Sequence, residues 1–289
     1  MIPTDAVVAK VDALPTLPAA VSRLAALHGS ETTSASDFED AIKPDPALTA
    51  NLLKMANSAY FGLRREVDSV GQAVTVLGTK RVWEAAVTAG FSKTIPDRIP
   101  GYEVDSAVFW KHCIAVAILS ERLSSQMELR TPKLTFTAGL LHDIGKLAIG
   151  SFLTVEATLV LSRMRTDEMD FVAAEREVLG TDHAEVGATV ADKWGLPEAI
   201  GVGARWHHCP DEVPNEEDQV LVDLVHVADA LAHTLGYGAD VGELARTLDQ
   251  RAADRLELTV DCLELVACNT LEEIQQVSEV FAPSGGAGK

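Results

Sequence analysis

Between Gly139 and Leu147 the chain reads "GLLHDIGKL". An apolar run here carries an imidazole, a carboxylate and an ammonium: His142, Asp143 and Lys146. A carboxylate in so apolar a setting needs a partner charge. The three side chains therefore either sit satisfied at a helix edge or line a site. On a regular helix His142 and Asp143 point about 100° apart and do not face each other. They can share a ligand only where several helix faces converge. Lys146 comes about one turn after His142, on nearly the same face. It is placed either to contact a phosphate oxygen or to snorkel at the surface.

Outward from this stretch the sequence predicts helices on both sides. "KLTFTAGLLHDIGKLAIGSFL" reads as one helix, and "DSAVFWKHCIAVAILSERLSSQ" before it as a long amphipathic one containing His112. "DEMDFVAAEREVLG" is closed by Gly180. "TDHAEVGATVADKWGLP" opens with Asp182 and Glu185 at capping-box spacing and ends at Gly195 and Pro197. "EAIGVGARWHHCP", "DQVLVDLVHVADALAHTLG" and two or three helices up to "EEIQQVSEVFA" follow, and "PSGGAGK" reads as a flexible tail.

In the N-terminal part, "SASDFEDAI" offers Ser36 as N-cap with Glu39 three residues on. "KPDPALTANLLKMANSAYFGL" offers Asp45 as N-cap, Pro46 at the first helical position, a stripe of Leu48, Leu52, Leu53 and Met55, and a stop at Gly62. Asn57, Ser58 and Tyr60 near that end read as capping and packing groups, with Tyr60 and Phe61 as the alternative, anchors for another protein. "VDSVGQAVTVLGTKRVWEAAVTAGF" reads as two helices broken near Gly78, and Trp83 and Trp110 read as core. "SKTIPDRIPGYEV" is the best internal boundary. The expected division is residues 1–95, 104–235, 236–282 and a tail at 283–289, with no strand pattern and no repeat.

Composition narrows the class. The 289 residues are 47% hydrophobic and only 5% aromatic, which favours packed helices over sheets. Net charge is −19, from 43 acids against 24 bases, with no dense basic cluster. Nucleic acid and anionic membrane surfaces are therefore poor partners. No 18-residue apolar run and no signal-peptide pattern appear. The four cysteines, Cys113, Cys209, Cys262 and Cys268, form no C-x-x-C pair, so reduced thiols in a cytoplasmic protein are expected. Cys209 reads as a small packed thiol, and neither a G-x-S-x-G motif nor a Gly-rich phosphate loop is present.

Seven of the 8 histidines fall between His112 and His233, several beside acids: His142 with Asp143, His183 with Asp182, His226 with Asp229. Imidazole with carboxylate is a ligand set for Zn, Fe or Mn. Each histidine alone reads as a hydrogen-bonded helix-edge residue, whereas the set reads as a shared pocket. His226 and His233, seven apart on one helix, read as packing, with one of them pointing into the pocket as the alternative.

"HDIGK", preceded by His112 and followed by His183, His207, His208 and Asp229, resembles the HD superfamily of metal-dependent phosphohydrolases. "LPTLPAAVSRL", "IKPDPALTANLLKMANSAYFG" and "AVTVLGTKRVWEAAV" resemble the HDOD domain, an HD-related output domain of bacterial signalling proteins, over about residues 12–235. The resemblance implies an all-α, multi-helical HD-like architecture. Set against HD-GYP phosphodiesterases, it places His112, His142, Asp143, His183, His207, His208 and Asp229 at metal-ligand positions, His112 on the least distinctive segment. Asp143 and Lys146 become the candidate catalytic residues, with Arg205 and Lys133 weaker candidates for a phosphate. A divalent metal (Fe, Mn or Zn) follows, single or binuclear, unless the site has lost it.

Where the HD-GYP motif would follow the paired histidines, this chain reads "HHCPDEVPNEED", without Gly-Tyr-Pro and with acidic charge. Many HDOD proteins act through protein–protein contact. The resemblance therefore implies a regulatory protein contacting signalling partners with a retained metal site, or alternatively a phosphohydrolase acting on a nucleotide or cyclic dinucleotide. With no receiver or kinase module ahead of the domain, a signal is expected to arrive through a separate protein.

Overall fold

A computed structural model describes residues 4–28, 34–58, 63, 65–127, 133–150, 152, 153, 160, 170–238 and 248–282. The described residues are overwhelmingly helical. Helices α1 (Thr4–Ala13), α2 (Ala19–His28), α3 (Ala35–Ile42), α4 (Pro46–Ala56) and α5 (Val70–Ser92) form the N-terminal part. The expected cap shifts by two residues. Ser34 accepts from the Asp37 amide, and the Asp37 side chain returns a bond to Ser34, a complete capping box that Ser36 and Glu39 do not make. Asp45 and Pro46 open α4 as expected. That helix stops at Ala56 rather than Gly62, because Asn57 turns its amide onto the Val67 backbone. Its Nδ2 donates to Val67 O at 2.8 Å and its Oδ1 accepts from Val67 N at 2.7 Å. Tyr60, Phe61 and Gly62 lie outside the described residues, as does the tail 283–289. Gly78, at φ 80° and ψ 165°, breaks the winding inside α5.

The boundary segment holds a feature the sequence reading missed. β1 (Arg98–Ile99) and β2 (Val104–Asp105) pair antiparallel around a 3₁₀ turn, Pro100–Tyr102. The strands are two residues long, too short to show alternation.

Helix α6 (Ser106–Gln126) corrects another expectation. It is not amphipathic. Residues His112 to Glu121 are all buried, so α6 is the axis around which the rest packs. On it lie α7 (Thr135–Leu141), α12 (Glu216–Thr234) and α14 (Val260–Val280). A helix apolar all round belongs at the centre of a core. Trp110 packs against Phe91 with ring centroids 6.2 Å apart, and its indole donates to Ser278 O at 2.9 Å. Trp83, also buried, donates to Thr137 Oγ1 at 3.0 Å. The remaining elements are α8 (Gly145–Ile149), α9 (Phe171–Leu179), α10 (His183–Lys193), α11 (Glu198–Trp206) and α13 (Gln250–Arg255). Among the described residues no helix is long and apolar enough to cross a membrane.

Candidate metal centre

The expected single helix through "GLLHDIGKL" is interrupted. After Leu141 the amides of Ile144 and Lys146 donate three residues back, to Leu141 O at 3.1 Å and Asp143 O at 3.0 Å. Such tightened winding eclipses side chains three apart. Lys146 Nζ accordingly donates to Asp143 Oδ2 at 2.6 Å. Lys146 is 1% exposed, so it does not snorkel. Gly145 allows this turn to touch α10: a Cβ there would lie 1.9 Å from His183 O and 2.6 Å from Gly187 N. The same approach delivers His183, the first residue of α10, whose N-cap Asp182 accepts from Glu185 N at 2.8 Å.

Other elements complete the cavity wall. His112 comes from mid-α6, His207 and His208 directly follow α11, and Asp229 comes from α12. His112, His142, Asp143, His183, His207 and Asp229 are buried, and His208 is partly exposed. The outer nitrogen of each buried imidazole has an acceptor. His112 Nδ1 donates to Tyr237 O (3.0 Å), His142 Nδ1 to Gly139 O (2.7 Å) and His207 Nδ1 to Ala204 O (2.7 Å). His183 Nδ1 donates to Glu175 Oε2 at 2.7 Å.

These bonds fix the tautomers, and the consequence is electrostatic. With Nδ1 carrying the proton, each Nε2 aims a lone pair inward. His112 Nε2 lies 3.2 Å from His142 Nε2. Each also faces carboxylate oxygen: Asp143 Oδ2 at 3.5 and 3.4 Å, Asp229 Oδ1 at 3.4 and 3.7 Å. On the other side of Asp143, its Oδ1 lies 3.4 Å from His183 Nε2 and 3.6 Å from His207 Nε2. Asp143 Oδ1 and His207 Nε2 are buried and make no hydrogen bond. His183 Nε2 also lies 2.8 Å from His208 Nε2.

That arrangement fits a cation. Donors about 2.1 Å from one ion stand about 3.0–3.4 Å apart for right-angle to tetrahedral geometry. Four overlapping donor groups occur among the described residues, two of them sharing Asp143 and a third, His142, His207 and Asp229, running between those two. Asp143, His183, His207 and His208 bring their donor atoms within 4.8 Å of one another, and so do His112, His142 and Asp143. Asp229 joins the second side. Nitrogen and oxygen donors without thiolate suit Zn, Fe or Mn.

Ionisation follows burial and partners. Burial pushes His112 below the ordinary imidazole value and His207 down to about 4. Burial opposes the charge of Asp143, yet the Lys146 ammonium holds its carboxyl well below the usual range. His183 is raised, because Glu175 beside it outweighs burial.

All seven residues singled out as ligands meet in one cluster. Lys146 meets them too, with its ammonium committed to Asp143 and 5.5 Å from the Tyr102 ring. Lys133 is exposed, and Arg205 lies at the surface 3.5 Å from Glu185. Cys209 is half-buried, with its thiol pushed up by burial, as suits a packed thiol. Three further participants stand beside the seven, and two of them, Glu175 and Tyr102, have no signal in the sequence. Glu175 is fully buried and accepts from the His183 amide (3.0 Å), His183 Nδ1 and Tyr102 Oη. Tyr102, on the 3₁₀ turn, is the second. His233 is the third: its Nε2 lies 3.2 Å from Asp229 Oδ1, and it groups with His112 and Asp229 rather than packing in the core.

A family model for the HDOD domain matches residues 14–210, and the chain belongs to that family. It is similar in fold to an HDOD domain protein of Geobacter sulfurreducens, with 24% identity over 95% of this chain and 94% of that one and a TM-score of 0.72. A candidate phosphohydrolase of Shewanella amazonensis SB2B shows 24% identity over 96% and 98%, with a TM-score of 0.73. In sequence it is 23% identical to an uncharacterised protein of Treponema pallidum (strain Nichols) over 83% of this chain. The matched region spans 46% of that relative's length.

Proposed function

We propose that this chain is a metal-dependent hydrolase of phosphate esters serving bacterial signalling. Its cations would be held by His112, His142 and Asp229 on one side and His183, His207 and His208 on the other, with Asp143 between. The observation that carries this reading is the facing set of imidazole lone pairs and carboxylate oxygens. A bound divalent pair would supply Lewis-acid polarisation of a phosphoryl oxygen and acidification of water.

The chain's own residues do the rest. Lys146 keeps Asp143 ionised and fixes which oxygen faces each side. The carbonyls of Tyr237, Gly139 and Ala204, with the Glu175 carboxylate, lock four imidazoles with Nε2 inward before any ligand arrives. His208 and His233, partly exposed, mark where a phosphate group approaches. The name of the Shewanella protein supports the same substrate class.

Reloading metal-stripped protein with Mn²⁺, Fe²⁺ or Zn²⁺ and assaying bis(p-nitrophenyl) phosphate and cyclic dinucleotides tests this. Turnover should need metal and fall at least about 100-fold in His142→Ala, a loss on the scale of one essential catalytic group. A protein that takes up no cation contradicts the proposal. A second reading is a cytoplasmic regulatory module that binds signalling proteins and keeps the metal for structure. Exposed Glu212, Glu216 and Glu217 beyond the paired histidines favour it, since they repel a polyanionic substrate. Metal uptake without hydrolysis of any phosphate ester would select it.

A further inference from the structure

We infer that the short helix α13, with the residue capping it, is a clasp that sets the position of the paired-histidine loop, and that Arg255 is its positioning residue. The loop, residues 207–212, is gripped from one side at three points. His226 Nδ1 donates to His207 O at 2.7 Å, while its Nε2 accepts from the Asp249 amide at 2.9 Å. One imidazole thus ties the His207 backbone to the N-cap of α13. Gln219 Nε2 donates to Pro210 O at 2.8 Å and to Asp223 Oδ1 at 3.0 Å. Arg255 then closes the network. Its Nε and Nη2 form a fork on fully buried Asp223, at 2.8 and 2.6 Å, and its Nη1 reaches Asp211 at 2.7 Å. Arg251 adds a second ion pair to Asp211.

A planar guanidinium can span two carboxylates at once, whereas an ammonium is a point charge. Removing the guanidinium would leave the buried Asp223 carboxylate without its counter-charge, so breaking this pair costs more than breaking a surface one. The grip acts on His207 and His208 through their own backbone, which is how an outer contact tunes a donor it does not touch. Arg255, Asp223, Asp211 and Asp249 all lie beyond the matched family stretch 14–210, so the clasp is a property of this chain's C-terminal part. Cation occupancy between the histidines and docking of residues 249–255 are then coupled, and the coupling runs both ways.

The inference rests on the metal reading of His207 and His208, and the experiment separates the two. Full-length metal-stripped protein is titrated with Mn²⁺, and amide hydrogen exchange is followed with and without it. Arg255→Met should weaken the affinity of one cation position about 10–100-fold and speed exchange at residues 207–212. Arg255→Lys should recover only part of both. Asp211→Asn leaves the Arg255–Asp223 fork intact, and so gives the same signs, more weakly, even if Arg255→Met fails to fold. Mn²⁺ should slow exchange at residues 249–255 in the parent chain. Unchanged affinity and unchanged exchange at 207–212 in Asp211→Asn and Arg255→Lys overturn the clasp. A parent chain that binds no Mn²⁺ overturns the metal reading instead, and exchange at 207–212 in the metal-free variants then judges the clasp alone.

Discussion

Two polar clusters, each with buried carboxylates, lie along α6 and differ in kind. Near its C-terminal end, Glu84 and Glu121 meet Lys80 and Arg81. Lys80 Nζ lies 2.8 Å from Glu121, and Arg81 Nη1 lies 2.9 Å from Glu84 and 2.5 Å from Glu121. Two carboxylates there face two cations that reach solvent, and one oxygen, Glu84 Oε1, is left without a hydrogen bond. At mid-helix, His112 faces Asp143, Asp229 and further imidazoles, and Lys146 is the cation that the described residues show against the set. In the first cluster each carboxylate faces both Lys80 and Arg81. The second leaves acceptors turned on one another, an arrangement that costs stability until a cation enters.

The largest way to break this contrast is Asp143→Ala. It removes the carboxylate common to both sides and strands a buried ammonium. Metal uptake should vanish, and thermal unfolding should show a loss of about 3–5 kcal/mol, the cost of breaking a buried ion pair. Next comes the metal itself. A cation at about 100 times its dissociation constant should stabilise the parent by about 2.7 kcal/mol, read as a rise in Tm that a chelator reverses, while leaving Asp143→Ala unmoved. Glu175→Ala should weaken metal binding about 10–100-fold, with Glu175→Gln milder because it still accepts from His183 Nδ1; calorimetric titration ranks the three.

The smallest effect sharpens the contrast from the other cluster. Burial, then the charge of Glu121, raises Glu84 from its ordinary 4.5 to about 7. Its folded form binds the proton more tightly than the unfolded one, so this group's contribution to stability falls as pH rises from about 4.5 to 7. Glu84→Gln should therefore be more stable relative to the parent at pH 8 than at pH 5. Denaturant midpoints at the two pH values check the sign, and metal affinity should not change.

Local chemistry made most elements legible. Asp45 with Pro46, Asp182, and Gly180 and Gly195 with positive φ are start and stop signals that work within one turn. The ligand set came from a resemblance; spacing alone left each histidine a helix-edge residue. What sequence could not supply is long-range or depends on exact winding. Glu175 looks like any acid on an amphipathic helix until α10 folds back over it, eight residues later. Tyr102 reaches that carboxylate from a turn 73 residues away. The break after Leu141 has no proline to announce it; it follows from the contact of Gly145 with α10. The unbroken burial of α6 from His112 to Glu121 is likewise set by the helices wrapped round it, not by its own period.

The most direct measurement is the metal content of the purified chain after stripping and reloading, by elemental analysis against protein concentration. Two divalent cations per chain, falling to none in Asp143→Ala, is the predicted result. A folded chain that holds no cation at any loading would contradict the account at its centre.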